Sequence, residues 1–186
     1  YLNEIKYTKI FGSDKINEEA KGAKILLSPL AFFQVNHLQM EKIIEILEEY
    51  LALKKDDILL DAYCGVGSLS LPLANKVSKV IAIESYALAI EDAENNALIN
   101  NINNCEFLVG HTERILPKLN KTFNKIIVDP PRIGLREEVI RAISKANPEK
   151  IAYVSCNPAT LARDLAIFSE NGYITKEIQP IDMFPQ

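Results

Sequence analysis

Three cysteines are the candidate nucleophiles of this chain, and their settings differ. Cys156 lies in the run Ser155-Cys156-Asn157-Pro158-Ala159-Thr160, after the apolar segment Ile151–Val154 and just ahead of a predicted helix start. The positive end of a helix favours thiolate, and thiolate is the form that attacks carbon electrophiles. Cys64 sits in a Gly-rich turn and reads as packing. Cys105 borders the apolar run Glu106–Val109 and reads as buried and inert, the commoner fate of a free cysteine. The three form no CxxC pair, so neither a disulfide framework nor a zinc site is indicated, and a reduced, cytoplasmic setting is expected.

Carboxylates at strand ends form the second group. Asp61-Ala62-Tyr63-Cys64-Gly65-Val66-Gly67 follows an apolar strand and precedes a predicted helix, and glycines there allow a sharp turn and a close ligand approach. Neither the G-x-G-x-x-G spacing nor a P-loop lysine is present. Glu84 closes the next strand, where an acid can accept both hydroxyls of a ribose. A Gly-rich turn followed by that acid fits an adenosine without phosphates, which suits S-adenosylmethionine better than NAD. Val128-Asp129-Pro130-Pro131-Arg132 ends a further strand; its prolines stiffen the corner that carries the Asp129 carboxylate. Arg132, Arg136 and Arg163 are candidates for phosphate contacts or for solvated surface. His37 and His111 match no base or metal spacing and read as ordinary histidines.

Alternating strands and helices must position these groups. Met40, Ile43, Ile44, Leu47, Tyr50 and Leu51 recur at helical spacing between Asn36 and Leu51. Strands are expected at Ile58–Leu60, Val80–Ile83, Glu106–Val109, Ile126–Val128, Ile151–Val154 and Tyr173–Ile178. Helices are expected at Ser68–Asn75, Ala87–Asn100, Glu113–Leu116, Arg136–Ala146 and Thr160–Glu170, the last stopped by Asn171-Gly172. The alternation implies an α/β, doubly wound, mostly parallel sheet, with ligands beyond the carboxyl ends of its strands. Residues 1–34 read as a strand-containing lead-in, and residues 35–186 as the main domain. The chain has 186 residues and a net charge of −4. No apolar run is long enough for a membrane span, and the first residues do not read as a signal peptide. The acidic balance argues against strong RNA binding by this chain alone, without excluding an RNA substrate held by another module.

Taken together, Asp61–Gly67, Glu84, Asp129–Arg132 and Ser155–Thr160 resemble the uracil-5 methyltransferases of tRNA and ribosomal RNA. Phe32-Phe33-Gln34-Val35-Asn36 is similar to that family's upstream cofactor motif. Asp182-Met183-Phe184-Pro185-Gln186 is similar to the segment before its catalytic glutamate. The resemblance runs from about Ser28 to the last residue. It implies a Rossmann-like class I methyltransferase sheet and S-adenosylmethionine as cofactor. Gln34, Tyr63, Glu84 and Asp129 match the cofactor contacts, and Cys156 matches the nucleophile. It implies an RNA substrate, tRNA or ribosomal RNA, and no metal; oligomeric state is left open. By the same resemblance the lead-in is the remnant of a central domain. The general base and the last strand of the sheet would lie past Gln186, leaving an unpaired edge near Cys156. Two other readings stay open. One is an N6-adenine or other amino methyltransferase, which needs no cysteine. The other, for the chain by itself, is a cofactor-binding module without turnover.

Overall fold

The computed structural model describes residues 8–119 and 121–184. A hairpin of Ile16–Ala20 (β1) and Ala23–Leu27 (β2) leads into the helix His37–Leu51 (α1). The Asn36 side chain caps α1 by accepting the Gln39 N–H, and Ala52, in the left-handed region, ends it. Of the stripe that the spacing predicts, Met40, Ile43, Ile44, Leu47 and Leu51 are buried, while Tyr50, near the end of the helix, stays partly exposed.

Then come Ile58–Asp61 (β3), Lys79–Glu84 (β4), Ala87–Ile99 (α2), Cys105–Val109 (β5), Thr112–Ile115 (α3), Lys125–Val128 (β6), Glu137–Ala146 (α4), Lys150–Tyr153 (β7) and Pro158–Glu170 (α5). The five later strands form one parallel sheet in the order β5-β4-β3-β6-β7. The chain starts at the centre, winds out to β5, then returns past β3 to β6 and β7. Side chains alternate between two apolar layers. Leu59, Val80, Ala82 and Ile127 face the layer built with α1, α2 and the hairpin. Leu60, Ile81, Ile83, Ile126 and Val128 face the layer built with α4 and α5. Covering both faces of a parallel sheet is what its uniformly apolar strands require. The expected doubly wound architecture is therefore present, with its switch point between β3 and β6. No helix among the described residues is long and apolar enough to cross a membrane.

Two expected elements are different. Ser68–Asn75 is not an α-helix. One i→i−4 bond forms from the Leu71 N–H to the Gly67 carbonyl, and Pro72 then has no N–H to continue the ladder. The chain tightens into i→i−3 bonds and a 3-10 turn at Ala74–Lys76. Tyr173–Ile178 is not a strand, because no strand of the described sheet pairs with it. Its aromatic and β-branched residues suit a strand, but a strand exists only through a partner's hydrogen bonds. Tyr173 instead turns back on α5, packing edge-on against Phe168 with ring centroids 5.9 Å apart. Further on, residues 177–182 border a cleft along α1.

Candidate functional site at the carboxyl ends of the strands

Beyond Asp61 the backbone remains pinned on both sides. Ala62 donates to the Ile127 carbonyl and Cys64 to the Ile83 carbonyl, each at 3.0 Å, so the Gly-rich turn springs from a fixed base. Gly67 has φ +82°, and a Cβ there would lie 2.8 Å from Leu71 Cδ1. The position excludes a side chain on both counts. Glu84 folds over this turn. Its Oε2 accepts the Gly65 N–H at 3.2 Å, and its Oε1 accepts the Tyr86 N–H at 2.8 Å and the Ser85 hydroxyl at 3.1 Å.

Asp61 is fully buried, and neither carboxylate oxygen has a hydrogen-bond partner among the described residues. Burial pushes its pKa up to about 7, with the nearby Glu84 charge adding to the rise; the Ser70 hydroxyl and the Tyr63 N–H, which come near without making a hydrogen bond, offset part of it. Asp129, at the end of β6, is likewise raised to about 7, by burial first and then by Asp61. Three carboxylates thus converge where β3, β4 and β6 end. Orphaned buried carboxylate oxygens are costly unless a cation or donor completes them. The arrangement therefore suits a ligand that carries positive charge and hydroxyl donors, such as a sulfonium nucleoside with an ammonium group.

The three thiols differ in burial. Cys64 is buried and Cys105 partly so, and burial drives the Cys64 thiol well up and the Cys105 thiol to about 12. Both stay protonated and unreactive near neutral pH. Cys156 is exposed, in the turn between β7 and α5. Asn157 caps α5 by accepting the Ala159 N–H at 3.0 Å, and Pro158 opens the helix. Two side chains then tie this turn to the corner after Asp129: Asn157 Nδ2 and Thr160 Oγ1 donate to the Arg132 carbonyl, at 3.2 and 3.3 Å. The loop bearing the thiol and the loop bearing Asp129 are thereby one structure.

The sequence matches the model of the family described as tRNA (Uracil-5-)-methyltransferase over residues 11–186. The chain belongs to this family. It is 46% identical over 180 residues to an uncharacterized RNA methyltransferase of Enterococcus faecalis, covering 95% of this chain and 39% of that protein. An uncharacterized RNA methyltransferase of Caldanaerobacter subterraneus is 48% identical over 179 residues, covering 95% of this chain and 40% of its own length. Among solved structures, a Pyrococcus abyssi tRNA (uracil-54, C5)-methyltransferase in complex with S-adenosyl-L-homocysteine aligns with a TM-score of 0.81 and 35% identity. That alignment covers 94% of this chain and 42% of the Pyrococcus chain. This chain spans about two fifths of the length of these relatives.

Of the residues that the family motifs single out, Glu84, Asp129 and Cys156 lie at the carboxyl edge of the sheet, at the end of β4, directly after β6 and past β7. Gln34 lies two residues before Asn36, the cap of α1. Tyr63 is half-buried against the α4–α5 layer, near Thr112, Glu113 and Arg136. Asp61 was visible in the sequence only as the first letter of a motif. Its signal was an acid ending a run of fully apolar strand residues. Of the three arginines, Arg163 is committed to the Pro130–Leu135 loop and Arg136 pairs with Glu113 and Glu138 at 3.6 and 3.7 Å. Arg132 is exposed and forms no ion pair among the described residues. Those residues also contain no cluster of three or more His, Cys, Asp or Glu able to hold a metal.

Proposed function

We propose that this chain carries the cofactor site and the nucleophile of an enzyme that methylates C5 of a uridine in tRNA or ribosomal RNA. S-adenosylmethionine, the proposed cofactor, supplies an electrophilic methyl group on its sulfonium. Glu84 takes the ribose hydroxyls; Gln34, Tyr63 and Asp129 complete the contacts, and Asp61 faces the cofactor's positive charge.

C5 of uracil is a poor nucleophile. Cys156, as thiolate, adds through Sγ to C6 and pushes the C5=C6 electrons into an enolate across C5, C4 and O4. C5 then bonds to the methyl carbon as the S–CH3 bond breaks, releasing S-adenosylhomocysteine. A base removes the C5 proton, and the C–H electrons re-form C5=C6 as the Sγ–C6 bond breaks and the thiolate leaves. Covalent addition replaces one difficult step by several easier ones. The uridine must leave its stack to reach the thiol.

The observation that carries this reading is the join between the exposed Cys156 turn and the Asp129 corner through the Arg132 carbonyl. An amino methyltransferase has no use for a thiol held there. In the full-length protein, RNA containing 5-fluorouridine should form a stable adduct in the presence of S-adenosylmethionine, because fluorine cannot leave as the C5 proton does. Cys156→Ala should abolish the adduct and leave cofactor affinity nearly unchanged, whereas Cys64→Ala should retain it. An adduct that survives Cys156→Ala overturns the assignment.

A further inference from the structure

The groups proposed to hold the cofactor and the group proposed to attack the base are held by different means. Asp61, Glu84 and Asp129 end strands or directly follow them, and the sheet's hydrogen bonds fix them. Cys156 and Arg132 lie beyond the strands, in two loops that no ladder holds. Besides the bonds to the Arg132 carbonyl, they rest on a buried group on α5. Asp164 is fully buried. Its Oδ2 accepts the Leu135 N–H and the Tyr153 hydroxyl, each at 2.7 Å. Its Oδ1 accepts Arg163 Nε at 2.8 Å and lies 2.7 Å from Nη2 in an ion pair. Arg163 Nη2 in turn donates to the Ile133 and Leu135 carbonyls, at 2.9 and 3.1 Å.

Gly134 shows how closely the loop is drawn down. Its φ is +75°, and a Cβ would lie 2.5 Å from Asp164 Oδ2, 2.7 Å from Arg163 Nη2 and 3.1 Å from Thr160 Cβ. With the loop seated there, the Arg132 carbonyl meets Asn157 and Thr160, the residues that flank the turn of Cys156. A buried carboxylate satisfied by this many donors fixes one arrangement and tolerates few others.

We infer that the Asp164–Arg163 pair is a positioning device that sets the Cys156 turn against the Pro130–Leu135 loop, and so governs covalent addition rather than cofactor binding. The inference rests on the reading of Cys156 as nucleophile for its rate consequences, and on the loop geometry alone for its structural ones. A displacement of about 1 Å at a reacting centre costs on the order of 10²-fold in rate.

The test uses the full-length protein with Asp164→Asn and Gly134→Ala, the second keeping the question answerable if the first does not fold. Each should slow adduct formation with 5-fluorouridine RNA on the order of 10²-fold, with S-adenosylhomocysteine affinity near wild type. Tyr153→Phe, which removes one donor but leaves the loop bonds, should keep both. Amide hydrogen exchange should quicken at residues 133–135 and 157–160 together in the first two variants. Equal losses of rate and affinity would mark Asp164 as merely structural and overturn the inference, as would wild-type adduct rates. If the unaltered protein forms no adduct, the reading of Cys156 fails, and exchange alone decides: unchanged protection at 157–160 in Asp164→Asn defeats the positioning role.

Discussion

The two buried aspartates set a pH signature that single residues can be made to reveal. Asp61 and Asp129 ordinarily would titrate near 3.8, and here both are raised to about 7. They interact, so they titrate as a pair. A raised carboxyl holds its proton more firmly in the folded state. Their contribution to stability is therefore most favourable at low pH and is lost as pH rises from about 4 to about 7. A cationic ligand acts the opposite way, because it stabilises the charged carboxylates. S-adenosylmethionine should consequently bind more tightly at pH 8 than at pH 6, and binding near pH 7 should release protons. Calorimetry in two buffers of different ionisation enthalpy measures that release. Asp61→Asn should reduce it, and no net release from the unaltered chain would count against the carboxylates as the cation's partners.

At the scale of elements, α2 is held by polar as well as apolar side chains. Asp92, Asn96 and Asn100 follow one another at four-residue intervals on one face, and that face grips the β1–β2 hairpin and the stretch after it. Asp92 accepts Lys15 Nζ at 2.6 Å, the Ser28 N–H at 2.7 Å and the Ser28 hydroxyl at 2.8 Å. Asn96 accepts the Leu26 N–H at 2.7 Å and donates to the Leu26 carbonyl at 3.2 Å. It also donates to the Val66 carbonyl at 3.1 Å, inside the Gly-rich turn. Asn96→Ala leaves three buried backbone groups short of partners and should cost about 1–3 kcal/mol of stability. Asn100→Ala, at the exposed end of the stripe, should cost less. Urea unfolding of both variants measures the difference; equal losses would mean that burial of Asn96 is not the cause.

Across the whole molecule, the proposed cofactor contacts come from β3, β4, β6 and the lead to α1, which are far apart in sequence. A ligand that joins them stabilises only the folded chain. At S-adenosylhomocysteine concentrations of 100 times Kd, the gain is about 2.7 kcal/mol, or roughly 5–10 °C in melting temperature for a chain of this size. A thermal shift assay should show that rise for the unaltered chain and for Glu91→Ala, whose side chain is exposed. At the same ligand concentration Glu84→Ala should show a clearly smaller rise, since a hydrogen bond to a charged group contributes about 1.5–3 kcal/mol. Equal shifts in the two variants would remove Glu84 from the site.

Much of the architecture was legible in the sequence because each apolar run is short, bounded by turn residues and spaced for its own element. The stripe of α1 and the runs of β3, β4 and β6 show this, as does the coincidence of Asp61, Glu84 and Asp129 with strand ends. Sequence motifs also set Cys156 apart from Cys64 and Cys105 as the proposed nucleophile. What local pattern does not contain is partnership. Residues 68–75 carry helical spacing, but Pro72 lacks the N–H that the ladder needs. Residues 173–178 carry the aromatic and β-branched residues of a strand, but no neighbouring strand pairs with them. Arg163 stands in the sequence as either a phosphate contact or a solvated arginine, and Asp164 with two loop carbonyls occupies it. Asp92 and Asn96 carry no sequence signal for the hairpin they grip. Pro72 acts locally; the others depend on groups supplied by a distant part of the chain, and only the tertiary structure decides which groups meet.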